Sequence, residues 1–259
     1  MDIVTVVFDA KGSDDYERLY TVFQRSVKKH NPHANLIEKR IPRLNVQNNN
    51  NMDYVYLSNT LKLREWYSHM QSTTSETVFM DCDMLVRGDL SSAFDEEFDI
   101  GYTTRTGGVP PYTINGGVVF VRPTEAAALF FKNWLELNER MFRERKFHKK
   151  WERRYAGINQ PSFGYLLENP LPGVSLRPFP CAQWNACHED YENIDEDTKA
   201  IHCKGLLRNE ILAKTKRNTY YYNNIVREWR SYLSEQEEKT ISVFKTANQI
   251  RKERGEKIT

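Results

Sequence analysis

Residues 77–90 read Thr77-Val-Phe-Met-Asp81-Cys82-Asp83-Met-Leu-Val-Arg-Gly-Asp-Leu90, a short apolar run that ends in Asp-X-Asp and resumes as a second apolar run. Val78-Phe79-Met80 is apolar without alternation and is closed by polar residues on both sides, the pattern of a strand buried on both faces of a sheet. An open α/β sheet binds ligands beyond the carboxyl ends of its strands, so two carboxylates at this end stand at a ligand position. In an extended chain, side chains two apart point the same way, which lets Asp81 and Asp83 face one point. Hard oxygen donors select Mg²⁺ or Mn²⁺, ions commonly held by one or two carboxylates plus the phosphates of a substrate. The same residues also fit a strand running into an acidic turn, because Asp often ends strands and opens turns.

The chain has 259 residues, enough to bury a real core as one large α/β domain or a domain with an appendage. Its 14 Tyr, 13 Phe and 5 Trp argue against disorder, and a formal net charge of +2 disfavours a strongly electrostatic partner such as nucleic acid. The start, Met-Asp-Ile-Val-Thr-Val-Val-Phe-Asp, lacks a basic leader and reads as a first strand. No stretch approaches the roughly 18 apolar residues a membrane span needs. The cysteines at 82, 181, 187 and 203 show no Cys-x-x-Cys spacing and read as reduced thiols of a cytoplasmic protein. A zinc site drawn from Cys181, Cys187, His188, His202 and Cys203 is disfavoured by its irregular spacing.

On either side of the acidic strand, helical and strand patterns alternate. Residues 2–9 read as a buried strand, 14–30 as a helix capped by Ser13 or Asp14, 34–41 as a strand ended by Pro42, and 53–70 as a helix. The asparagine run at 47–51 reads as a loop. This β-α-β-α-β order predicts an α/β fold with a mostly parallel sheet and helices on its faces. A turn-rich segment at 107–111 leads to Ile114-Asn115-Gly116-Gly117-Val-Val-Phe-Val, where two glycines open a strand and admit a close ligand or backbone. Residues 124–142 form a helix capped by Thr124, and its continuation to Arg154 sets eight basic residues among three aromatics. Such a charge run is ordinarily a solvated face; its sharper reading is contact with an anionic acceptor or a membrane surface. Asn159-Gln160 opens a further helix with Pro161 in its first turn, 170–200 reads as irregular, and the residues beyond 219 suggest one or two amphipathic, charged helices.

With the Asp-X-Asp strand, the Asn115-Gly116-Gly117 strand, the Asn159-Gln160 pair and the late His202-Cys203-Lys204-Gly205 in this order, the chain resembles glycosyltransferases of the GT-A fold. The likeness is greatest to the glycogenin and bacterial galactosyltransferase group, family eight, and covers residues 2–206. Residues 207–259 are then a helical, charged carboxyl-terminal extension. The resemblance implies a metal-dependent enzyme that moves a sugar from a nucleotide-sugar, UDP-linked, to a glycan, protein or lipid acceptor with retention of anomeric configuration. It makes Asp81, Asp83 and His202 ligands of Mn²⁺ or Mg²⁺. Lys204 and Gly205 fall on the diphosphate, Lys62 on donor sugar and phosphate, and Asn115, Gly116 and Gly117 along the sugar pocket. Phe8, Asp9 and Tyr16 fall where relatives hold uracil, and Cys82 counts with the donor-binding residues.

Lys62, Asn159 and Gln160 are the catalytic candidates that the resemblance supplies. Relatives usually carry Asp-Gln where this chain has Asn159-Gln160, and an amide cannot serve as a carboxylate nucleophile. A front-face substitution is the route left. Two other classes compete. A nucleotidyltransferase needs a Gly-rich basic loop after the first strand, and residues 8–13 carry one glycine and one lysine. A binding module for nucleic acid or membrane would use the basic face at 140–154.

Overall fold

The computed structural model describes residues 1–8, 15–42, 51–105, 114–212 and 220–239, with only the backbone described at 51–54 and 220–221. Asp9, the Ser13 or Asp14 cap, the loop at 47–50, the turn at 107–111 and the chain beyond 239 lie outside these residues.

The elements run β1 (Asp2–Phe8), α1 (Asp15–His30), β2 (Asn35–Ile41), α2 (Asn51–Met70), β3 (Thr77–Asp81), β4 (Met84–Val86), β5 (Ile100–Thr104), β6 (Ile114–Val121) and α3 (Glu125–Arg143). They continue with α4 (Arg145–Glu152), α5 (Gln160–Glu168), β7 (Leu176–Pro180), α6 (Cys181–Trp184), β8 (Ala200–His202), α7 (Gly205–Ile211) and α8 (Tyr220–Arg230). Six strands form one sheet in the order β2-β1-β3-β6-β5-β7. β1 pairs in parallel with β2 and β3, β7 is parallel to β5, and β6 alone runs antiparallel to both its neighbours. The mostly parallel α/β sheet expected from the alternation is therefore present.

Alternate residues of the central strands enter opposite cores, as the two-residue period of a strand requires. Ile3, Val7, Val78, Met80 and Phe120 meet Tyr20, Phe23 and Val27 of α1. Val4, Val6, Phe79 and Val119 meet Trp66 of α2, Phe131 and Trp134 of α3, and Phe163 of α5. This two-sided burial explains the unbroken apolar runs. A third cluster joins the far side of α1, through Leu19 and Val22, to Leu85 of β4, Ile201 of β8, Leu207 of α7 and Ile225 and Trp229 of α8.

Several local readings change. The segment at 170–200 contains β7, α6 and a 3₁₀ turn over His188–Asn193. β7 carries Pro178 and Pro180 yet lies at the sheet's edge, where a missing N–H is tolerated. The helix read at 124–142 is α3 and ends at Arg143, and in the basic run that follows, Glu144, with ψ at 73°, separates it from a further helix, α4. The cap itself stands as read, the Thr124 hydroxyl accepting from the Ala127 N–H at 3.0 Å.

Candidate active site

Asp81 ends β3 and Asp83 precedes β4, with a turn at Cys82–Asp83 between them. The two carboxylates are thus brought together by a turn, not by the extended alternation expected from the sequence. β4 pairs antiparallel with β8, setting Met84 opposite His202, and the Cys203 N–H donates to the Asp83 carbonyl at 2.8 Å. That pairing delivers an imidazole from far along the chain to the acidic turn. His202 Nε2 lies 3.6 Å from Asp81 Oδ2 and 3.4 Å from Asp83 Oδ1. Ligand atoms of the three residues all fall within 4.8 Å of one another, the one such grouping of His, Cys, Asp and Glu found among the described residues.

The other face of the imidazole is fixed by an amide network. Asn185 donates from Nδ2 to the Asn115 carbonyl at 3.2 Å and to Thr103 Oγ1 at 2.8 Å. A carbonyl only accepts, so Asn185 must turn Oδ1 toward His202 Nδ1, 3.2 Å away. Nδ1 then carries a proton, which leaves Nε2 as the ring nitrogen that faces the two acids. Gly117 makes room for this arrangement: a Cβ there would lie 2.5 Å from His202 Nδ1 and 3.1 Å from Asn185 Oδ1. The Tyr191 hydroxyl donates to the His202 carbonyl at 2.5 Å, holding the backbone as well.

Two cationic side chains flank the acids. Lys62 reaches from α2 to place Nζ 2.8 Å from Asp81 Oδ1 and 4.7 Å from the Trp66 ring centre. Arg208 of α7 pairs through Nη2 with Asp83 Oδ2 and lies 6.0 Å from the centre of the Tyr16 ring. Burial alone would raise the Asp83 carboxyl, but His202 and Arg208 outweigh it and hold that group well below the usual carboxylate range. A concentration of fixed charge at a strand end, with the buried Asp83 held ionised, suits a hard cation and a phosphorylated ligand.

Residues 20–217 match the profile of the nucleotide-diphospho-sugar transferases. The chain belongs to that family. No curated protein matches this transferase in sequence. Among solved structures, a glycosyltransferase involved in glycosylation of the major capsid of PBCV-1 is similar with a TM-score of 0.55 and 16% identity, covering 81% of this chain and 97% of that one. GlyE of Streptococcus pneumoniae TIGR4 gives 0.59 at 12% identity, covering 95% of this chain, which spans 63% of GlyE. The galactosyltransferase LgtC, solved with donor and acceptor sugar analogues, gives 0.50 at 14% identity over 90% of this chain and all of LgtC. These likenesses show the GT-A fold, and with the family match they make the transferase a glycosyltransferase.

The remaining residues singled out from the sequence of this transferase are placed as follows. Asn159 and Gln160 open α5 beside Gly116, whose Cβ would lie 3.8 Å from Asn159 Oδ1 and 3.7 Å from Gln160 Cγ. The Asn159 carbonyl is pinned by Trp134 Nε1 at 3.1 Å and Ser162 Oγ at 2.8 Å, while its side-chain Nδ2 is buried without a hydrogen-bond partner. Gln160 commits both amide hydrogens, to the carbonyls of Ile114 at 2.9 Å and Ala156 at 2.5 Å. Asn115 Nδ2 donates to Cys187 Sγ at 3.1 Å and its Oδ1 accepts from the Gly117 N–H at 3.2 Å. Phe8 is half-buried at the end of β1, and Tyr16 lies in the first turn of α1. Cys82 packs its side chain into the core with Val78 and Met84. Lys204 precedes Gly205, whose φ of +60° starts α7 in a conformation that glycine adopts without strain.

Two groups escaped sequence reasoning. Arg208 could have been found as the first basic residue inside the helix that Gly205 opens. Asn185 sits in a stretch without periodicity, and nothing local marks it.

Proposed function

We propose that this transferase moves a sugar from a UDP-linked donor to an acceptor hydroxyl, with Mn²⁺ or Mg²⁺ as cofactor and retention of anomeric configuration. The observation that carries the reading is the convergence of Asp81, Asp83 and His202 between the cationic Lys62 and Arg208. Two carboxylates and an oriented imidazole fit a hard divalent ion, which when bound would neutralise charge developing on the departing diphosphate. Lys62 and Arg208 supply fixed positive charge at the same place, and preorganised charge needs no rearrangement as the bond breaks. Lys204 and Gly205, two and three residues after His202, are assigned to the diphosphate as well. Phe8, Asp9 and Tyr16 are assigned to the base, Gly116 and Gly117 to the sugar pocket with Asn115, and Cys82 contributes through its backbone because its side chain faces the core.

Asn159 cannot attack the anomeric carbon as a carboxylate would. The acceptor oxygen therefore forms its bond on the face that the diphosphate leaves, and the departing phosphate oxygen takes the acceptor proton. The unpartnered Asn159 Nδ2 offers a hydrogen bond to a sugar oxygen, worth about 1–3 kcal/mol against leaving that donor unsatisfied. Gln160, with both amide hydrogens engaged, has only Oε1 to offer and acts as a positioning group. Four free, buried cysteines agree with a reducing compartment, and the proposal places the enzyme in the cytoplasm. The acceptor is left as a glycan, protein or lipid hydroxyl.

Incubation with UDP-glucose, UDP-galactose or UDP-N-acetylglucosamine and Mn²⁺ should release UDP slowly by hydrolysis even without acceptor. Asp83→Ala is expected to reduce that release about 100-fold or more. If none of the three donors is bound or hydrolysed, and Asp83→Ala leaves the binding signal unchanged, the reading fails.

A further inference from the structure

The basic run after α3 is sorted by the fold into two sets. Arg140 pairs with Glu144, Arg154 pairs with Glu168, and Arg145 lies 3.6 Å over the Tyr56 ring. Glu139, another nearby acid, is taken by Arg64. The other set is Arg143, Lys146, Lys149, Lys150 and Arg153, all exposed and without a side-chain ion pair or hydrogen bond among the described residues. Four of these, at 146, 149, 150 and 153, recur at i, i+3, i+4 and i+7, so they line one face of α4, with Arg153 as the helical residue that caps its end. Like charges at this spacing repel one another, and ordinary surfaces intersperse the two signs. An anionic surface would relieve that repulsion.

The shape and surroundings of the stripe choose the partner. The opposite face of α4 is already used: His148 and Trp151 are buried, and the Trp151 ring lies 4.9 Å from that of Tyr165. Phe147, the half-buried ring of α4, is covered by Arg140 at 4.8 Å and meets Tyr165 edge-on at 5.9 Å, so among the described residues of α4 no ring is left free to stack on bases, as a single-stranded nucleic acid would require. Among the described residues of α4 no exposed apolar side chain remains to insert among acyl chains either. A straight, single-sign stripe about 12 Å long matches a plane of lipid phosphates. We propose that the α4 stripe docks the transferase, by charge alone, on a bilayer surface that carries anionic headgroups. His148, on the buried side of the same helix, lies 3.1 Å from the Ile158 carbonyl, so the docking helix also buttresses the turn bearing Asn159.

The test is co-sedimentation of the full chain with vesicles of phosphatidylcholine, with and without phosphatidylglycerol, at low and high salt and without donor or metal. Binding should require the anionic lipid and fall away with salt. Lys149→Gln with Lys150→Gln should weaken it about 25-fold, from about fivefold per cation. The charge-matched control Lys28→Gln with Lys239→Gln should leave it unchanged. UDP release from a donor, measured in parallel, should be the same for both double variants and the parent, which separates this proposal from the transferase reading. Equal binding to neutral vesicles, no binding at all, or an equal loss in the control would overturn it. So would a single-stranded RNA oligomer that displaces the vesicles and itself depends more strongly on Lys149 and Lys150.

Discussion

His202 is oriented by a residue that contacts neither acid. Removing the Asn185 amide leaves Nδ1 without its acceptor and lets the ring present either nitrogen to Asp81 and Asp83. Asn185→Ala is therefore expected to lower Mn²⁺ affinity about 10–100-fold, the usual effect of losing a group that orients a metal-bound histidine. Asn185→Asp keeps an acceptor at that place and should recover part of the loss. Manganese EPR titration of the full chain without donor reads both; an Asn185→Ala protein with parental affinity would remove the orienting role. Asp81, Asp83 and His202 were legible as groups that would meet, the acids from their spacing and His202 from the family resemblance. Asn185 and Arg208 were not, since each reaches the site only through tertiary folding. Cys82 was read with the donor residues from its place between the acids, yet apolar burial claims its side chain.

At the scale of an element, α4 shows how a helix with an almost wholly charged sequence is held. The His148 ring lies between the Tyr56 hydroxyl, 2.6 Å from Nδ1, and the Ile158 carbonyl, 3.1 Å from Nε2. The carbonyl fixes the proton on Nε2, and the phenol donates to Nδ1. Burial lowers the His148 pKa and outweighs the Ile158 carbonyl and Glu152, which raise it, while the nearby Arg145 adds a lesser lowering. The folded protein then binds fewer protons here than the unfolded chain. The stabilisation is present above the unfolded value of 6.5 and is lost as the pH falls through it toward the folded value. Urea unfolding between pH 7 and 5 should show falling stability, to which the likewise lowered His30 and His69 contribute. His148→Gln should cost about 1–3 kcal/mol at pH 7 and flatten the slope; an unaltered slope would place the titration elsewhere. Elements with strong periodicity, such as α1, and with a cap as well, such as α3, could be read directly. β7 could not, because its prolines argue against a strand until its edge position is known.

Across the whole molecule, the metal-site strands and the carboxyl-terminal helices share one core. Trp229, almost wholly buried, packs with Leu85 of β4 and Ile201 of β8, and Arg87 just beyond β4 pairs with Glu228 of α8 at 2.9 Å. A second link passes from Tyr222 of α8 to Tyr191, ring centres 5.6 Å apart, and from the Tyr191 hydroxyl to the His202 carbonyl. Charge dominates the sequence there, so periodicity suggested helices without showing what their few apolar residues would meet. We propose that residues 207–259 extend the transferase domain and that within them α7, from Leu207 on, and α8 brace the β4–β8 pair. Trp229→Ala should then cost about 3–5 kcal/mol through the cavity it leaves, lowering Tm by about 10 °C or more. It should also weaken Mn²⁺ binding at temperatures where the variant is still folded, because Asp83, in the turn that leads into β4, and His202, at the end of β8, depend on strands that have lost their support. Trp229→Phe, which refills much of the volume, should restore metal affinity more fully than Tm. A variant with depressed Tm and parental Mn²⁺ affinity would separate the helical extension from the site and confine Trp229 to a packing role.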